Sequence, residues 1–193
     1  MLHVPFFLYF CTMGNKAAFA LFGMSGLIVL FAAYVSFLPD ILESKAEVKV
    51  NASKTDVVAY LTRAKDWETW LFKPKIRESS SWRTMTSGKE SGEGSVLKWF
   101  SESIGDGGLE IKKINTNQIV FDRISDNGAF EDRCYLNLIS DGDYVVIKMI
   151  DSLSIKSNFI ARYKAQDYSY LKTIDSSNVE VLRRLKSNLE AEK

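Results

Sequence analysis

The 193-residue chain carries 25 Lys and Arg against 24 Asp and Glu, a net charge of +1, with 46% hydrophobic residues. Its one dense basic run, Arg183, Arg184 and Lys186, is broken by leucine and reads as a solvated helix face, so nucleic acid is not an expected partner. The only histidine is His3 and the only cysteines are Cys11 and Cys134, which excludes from the rest of the chain Ser-His-Asp and Cys-His catalysis, histidine-ligated metals and a disulfide framework; no metal or cofactor is expected.

From Ala17 to Leu38 the sequence holds no charged residue. As a helix, that run is about 33 Å long, enough to cross a bilayer. Pro39 and Asp40 end it and Lys16 precedes it. Tyr34, Val35 and Phe37 interrupt every small-x-small cleavage frame near its end, so an uncleaved single-pass anchor is expected rather than a signal peptide. Residues 1–16 form a flank, within which Met13 is an alternative start. Lys16 retained on the cytoplasmic side places the rest of the chain on the extracytoplasmic side. Residues 39–44 read as a linker, and 45–193 have the usual size of one domain, about 150 residues.

That domain opens with Ala46 to Ala52, whose apolar-polar alternation predicts a half-buried strand. Asn51 to Arg63 predicts a helix with Ser53 as N-cap and Val57, Val58 and Leu61 as its buried stripe. Trp67, Trp70, Leu71 and Phe72 crowd the segment before Pro74 and suit a core plug. From about Ser80 to Leu153, turn signals recur every 10–15 residues (Gly88 to Gly94, Gly105 to Gly108, Asn115 to Asn117, Asp126-Asn127-Gly128, Asp141-Gly142). This spacing predicts an antiparallel meander of about six strands, because hairpins need only tight turns. After Ser157, Phe159, Ile160, Tyr163, Tyr170, Leu171 and Ile174 predict one helical stretch. Val179, Leu182, Leu185 and Leu189 continue at helical spacing, with a bend or restart at Asp175-Ser176-Ser177-Asn178. The order gives an α+β class: a curved antiparallel sheet with a long C-terminal helix laid across its concave face.

The opening AEVKVNASKTDVVAYLTRAKDWETW, the Gly92-Glu93-Gly94-Ser95 segment followed by VLKW, and the closing VEVLRRLKSNLE together resemble the START-related (SRPBCC, polyketide cyclase/dehydrase-like) superfamily. Their order along residues 45–193 carries the likeness. The resemblance implies a helix-grip fold of about six or seven strands and a cavity between sheet and final helix for a hydrophobic small molecule, such as a lipid, isoprenoid, quinone or polyketide. It implies no single chemistry: members bind or carry ligands, cyclise polyketides or serve as adaptors. The histidine-free domain departs from the enzymatic members, although acids or tyrosines can also move protons. No catalytic residue is assigned.

Two-residue hairpin loops at Asn127-Gly128 and Asp141-Gly142 would fix the cross-strand register. The first sets Ile119 opposite Leu136, Phe121 opposite Cys134 and Arg123 opposite Asp132. The second sets Leu136 opposite Ile147, Cys134 opposite Met149 and Asp132 opposite Asp151. One face then carries two apolar rows, Ile119, Leu136, Ile147 and Phe121, Cys134, Met149, and one ionic row of Arg123, Asp132 and Asp151. The apolar rows suit a filled core or a lined cavity alike. The ionic row suits either a wet surface pair or a buried site orienting a ligand's polar end. Candidate ligand contacts are Trp70, Phe72, Trp82, Trp99, Phe121, Arg123, Asp132, Cys134, Met149 and Asp151. Tyr163, Tyr168 and Tyr170 could present hydroxyls inward or to solvent, and the Gly105–Gly108 loop lacks the pattern of a phosphate-binding loop.

Overall fold

A computed structural model describes residues 6–125, 130–155, 159–164 and 168–191. The chain divides into two compact units, Met1–Pro39 and Asp40–Lys193. The first holds helix α1, Phe6–Ser36. Among its described side chains Phe19, Phe22, Leu27, Val29 and Leu30 are exposed. Among the described residues no helix is long and apolar enough to cross a membrane.

The second unit is a seven-stranded, wholly antiparallel sheet in the order β1-β7-β6-β5-β4-β3-β2. Strand β1 (Ile41–Val50) begins within the segment read as a linker and pairs along its whole length with β7 (Tyr144–Ser154). The other strands are β2 (Arg83–Gly88), β3 (Ser95–Phe100), β4 (Gly107–Asn115), β5 (Gln118–Ser125) and β6 (Phe130–Asp141). The predicted six-strand meander is therefore present, joined at one edge by the opening strand. Lys112 is an extra residue in β4 where the register against β5 shifts between Ile111 and Lys113, a bulge that bends the strand.

Helix α2 (Lys54–Thr62) starts where Ser53 predicts, its hydroxyl accepting the backbone N–H of Asp56 at 3.2 Å. Val57 and Leu61 are buried with Tyr60, while Val58 is only half-buried. Helix α3 (Ala64–Leu71) delivers the aromatic plug: Trp67 is fully buried, edge-on to Phe121 with centroids 5.4 Å apart, and donates its indole N–H to the Leu61 carbonyl at 2.8 Å. Pro74 opens a short further helix, α4 (Pro74–Arg77), its fixed φ suiting a first turn that needs no N–H donor. Helices α5 (Phe159–Lys164) and α6 (Tyr168–Ala191) close the chain.

Helix α6 runs through Asp175–Asn178 without the expected break. The polar side chains there have other uses: Asn178 donates to the Ser44 hydroxyl at 2.9 Å, and Ser44 donates to Asp175 at 2.6 Å. Both Ser44 and Asn178 are buried, so this chain of bonds satisfies groups that would otherwise be costly while fastening α6 to β1. Val181, Leu182, Leu185 and Leu189 form the buried stripe, and Val179 faces outward. The basic run divides. Arg183 is exposed, whereas Arg184 donates to the carbonyls of Trp70 at 3.0 Å and Leu71 at 2.9 Å, ending α3 against α6. A cation at a helix C-terminus is favoured by the dipole and satisfies its last carbonyls.

Candidate functional site

The predicted β5–β6 register holds at every position named: Ile119 faces Leu136, Phe121 faces Cys134 and Arg123 faces Asp132. Its predicted cause, the Asn127-Gly128 loop, lies outside the described residues. The β6–β7 register is displaced by two: Leu136 faces Met149, Cys134 faces Asp151 and Asp132 faces Leu153. Asp141 pairs with Tyr144, so the loop is Gly142-Asp143 rather than Asp141-Gly142. Gly142 has φ of +61° and occupies the first loop position, where the turns that match strand twist require a left-handed residue. A displacement of two keeps every side chain on its predicted face.

The inner face consequently reads in rows. One runs Ile111, Phe121, Cys134, Asp151 and Ser44, and the next Leu109, Arg123, Asp132, Leu153 and Leu42. Asp151 thus lies diagonally across from Asp132, and Arg123 reaches both. Its Nε donates to Asp132 at 2.9 and 3.1 Å and its terminal nitrogen donates to Asp132 at 2.6 Å and to Asp151 Oδ2 at 3.1 Å. The side chains of Asp132 and Asp151 are only 6% and 5% exposed. The ionic row is therefore a buried triad and not a wet surface pair.

A cavity of about 460 Å³ opens beside this triad. Its walls come from β1 (Leu42, Ser44), the end of α3 (Leu71, Phe72), Trp99 and Ile104, and from one stripe of α6, Ile174, Ser177, Asn178 and Val181. Its volume falls within the range of small-molecule sites, about 300–1,000 Å³. Two larger depressions are less suited to a ligand. One of about 1250 Å³ is lined mainly by polar loop residues between Ser80 and Asp106, and one of about 890 Å³ lies over the outer sheet face among Glu43, Lys98, Glu110 and Arg133. The first has few apolar residues, and the second touches Arg123 and Asp132 but not Asp151 and is otherwise ringed by charged side chains.

Of the predicted ligand contacts, Phe72, Trp99, Arg123, Asp132 and Asp151 line the cavity. Trp70, Phe121, Cys134 and Met149 are buried in the packed core instead. Trp82 stands behind Phe72 at 4.6 Å between ring centroids, and donates to Glu68. Tyr163 is exposed, and the side chains of Tyr168 and Tyr170 lie outside the described residues. The α6 lining was legible as the i, i+3, i+4, i+7 spacing of positions 174, 177, 178 and 181, a face that mixed polarity concealed. Gly107 sets the position of the Trp99 wall: a Cβ there would lie 2.3 Å from the indole, so only glycine lets the ring lie against β4.

Burial disfavours the Arg123 cation, but the adjacent Asp151 and Asp132 outweigh that and hold the guanidinium charged. For Asp132, burial is the largest effect and raises its carboxyl from its ordinary value against the pull of Arg123. Burial, with Asp151 second, raises the Cys134 thiol, which stays neutral. A carboxyl raised in the folded state contributes stability that is fully present below its unfolded value and lost as pH rises through the folded one. Asp132→Asn removes that titration. Urea unfolding across this window should show the variant gaining on the wild type as pH increases, whereas a pH-independent difference would contradict the assignment.

Neither a family profile nor a curated protein matches the sequence. Solved structures do match its fold. A protein from Arthrobacter aurescens superposes with a TM-score of 0.55 at 13% identity, covering 78% of this chain and 87% of that one. Norcoclaurine synthase from Thalictrum flavum, in complex with dopamine and hydroxybenzaldehyde, gives 0.54 at 13% identity over 79% and 88%. A Thermus thermophilus protein gives 0.52 at 16% identity over 79% and 99%. The domain has the helix-grip fold. Identities this low establish the architecture alone, and the helix-grip cavity must be read from its own residues.

Proposed function

We propose that this helix-grip domain binds an apolar small molecule, of the lipid, isoprenoid, quinone or polyketide-like kind, between its sheet and α6, tethered to a membrane by residues 17–38. The observation that carries this reading is the cavity itself: apolar walls from five elements (β1, α3, β3, β7 and α6) converge on one buried polar group, the usual composition of a ligand site. The uncharged run from Ala17 to Leu38 supports the tether, and tethering places the cavity near the phase into which such ligands partition. With Lys16 on the cytoplasmic side, the domain stands on the extracytoplasmic side.

The full chain purified from its membrane fraction should release a lipid-like species on solvent extraction, detected by mass spectrometry, in near-equimolar amount. Ser177→Trp, which fills the cavity from α6, should release much less. Repeated extractions without such a species from the wild type would remove the binding proposal, and complete release of the chain from membranes by an alkaline wash would remove the tether.

A catalytic reading draws on the same triad, since a carboxyl in a cavity wall can serve as acid or base. Asp132 and Asp151 would then exchange protons with a polyketide-like substrate. Both oxygens of Asp132 are already held by Arg123, which favours a structural and orienting role over proton transfer at that residue.

A further inference from the structure

The triad leaves a specific vacancy in hydrogen bonding. Among the described residues Arg123 is the sole cationic side chain lining the cavity, and Asp132 and Asp151 are the only anionic ones. The guanidinium gives three of its contacts to Asp132 and one to Asp151 Oδ2. Asp151 Oδ1 is buried and, among the described residues, has no N–H or O–H donor; the neighbouring Cys134 thiol offers Asp151 only a weak S–H. A carboxylate oxygen removed from water without a donor is costly, so such an atom in a cavity wall points to a donor supplied from outside the chain.

The charges set the sign of that donor. One cation shared between two carboxylates cannot also neutralise an incoming anion, so a fatty-acid-like carboxylate would enter against Asp132 and Asp151 with only the Nη1 end of a guanidinium whose charge is already matched to meet it. The nearest lining hydroxyl, Ser44, already donates to Asp175 and accepts from Asn178. The Trp99 indole N–H is buried without an acceptor, which provides a second, weaker anchor for a ligand oxygen.

Resting on the cavity-binding reading above, we infer that the ligand is an apolar molecule whose polar end donates hydrogen bonds to Asp151, an amine first and a hydroxyl second, and that carboxylate-headed lipids are rejected. The apolar tail lies against Leu42, Leu71, Phe72 and Val181, and the head sits beside the triad.

The test uses the full chain in nanodiscs of zwitterionic lipid and three probes of equal chain length, octylamine, octanol and octanoate. The thermal midpoint is followed by tryptophan fluorescence, because a ligand that binds only the native state raises it. Octylamine and octanol should raise the midpoint of the wild type at concentrations about tenfold below octanoate, and Ser177→Trp should respond to none of them. In Asp151→Asn the advantage of amine over alcohol should disappear. Equal or stronger stabilisation by octanoate, seen in the wild type and absent from Ser177→Trp, would overturn the head-group assignment while leaving the cavity as a binding site. No response from any probe, or equal responses in Ser177→Trp, would overturn the cavity reading itself. The comparison of probes on the wild type stands even if Asp151→Asn fails to fold.

Discussion

Arg123→Ala is expected to destabilise the domain by about 3–5 kcal/mol, the usual cost of removing one partner from a buried ion pair. The loss comes mainly from what remains: Asp132 and Asp151, both almost fully buried, would face each other without a cation. Each would have to take up a proton or draw water into the cavity. Urea unfolding monitored by circular dichroism measures the effect. The triple variant Arg123→Met, Asp132→Asn, Asp151→Asn should recover most of the stability, because the charges leave together and no uncompensated ion is left buried. A single-variant loss below about 1 kcal/mol, the range of exposed pairs, would mean that water reaches the triad freely.

Leu185→Ala should cost about 2–5 kcal/mol, the range for a buried leucine whose surroundings cannot collapse. Leu185 is fully buried on the inward stripe of α6, in one core cluster with Trp67, Phe121 and Ile147. Its removal opens space between α6 and the sheet that the neighbouring polar bonds of Arg184 and Asn188, which run to α2 and α3, do not fill, and the Ser44–Asn178 contact lies about two turns away along the helix. Calorimetric melting should show a lower midpoint and still one transition. A loss below about 1 kcal/mol would indicate that α6 is held chiefly by its polar clamps and not by the leucine stripe.

Most of the architecture is written in local patterns. Ser53 before an apolar stripe gives α2, alternation gives β1, and turn residues at regular intervals give the meander; each follows from hydrogen bonding and side-chain periodicity within a few residues. The register across β5 and β6 is equally legible, because both strands count from one short connection. The β6–β7 count went astray by two at Asp141-Gly142, where the choice between two loops rested on which residue adopts a positive φ. The inward face survived that error because side chains alternate with a period of two.

The candidate site is a different matter. Position along a strand places Phe121, Cys134 and Met149 on the same face as Arg123, Asp132 and Asp151, yet the first three are packed core and the last three border a cavity. By itself the sequence determined the element order, the face each strand turns inward and the grouping of three charged residues, all consequences of short-range periodicity. Only the tertiary structure decided where the sheet and α6 stand far enough apart to leave space, that the triad is dry, and that Ser44 and Asn178 join across the clasp. Those properties depend on distances between elements far apart in the chain, 134 positions for Ser44 and Asn178, which no local pattern encodes.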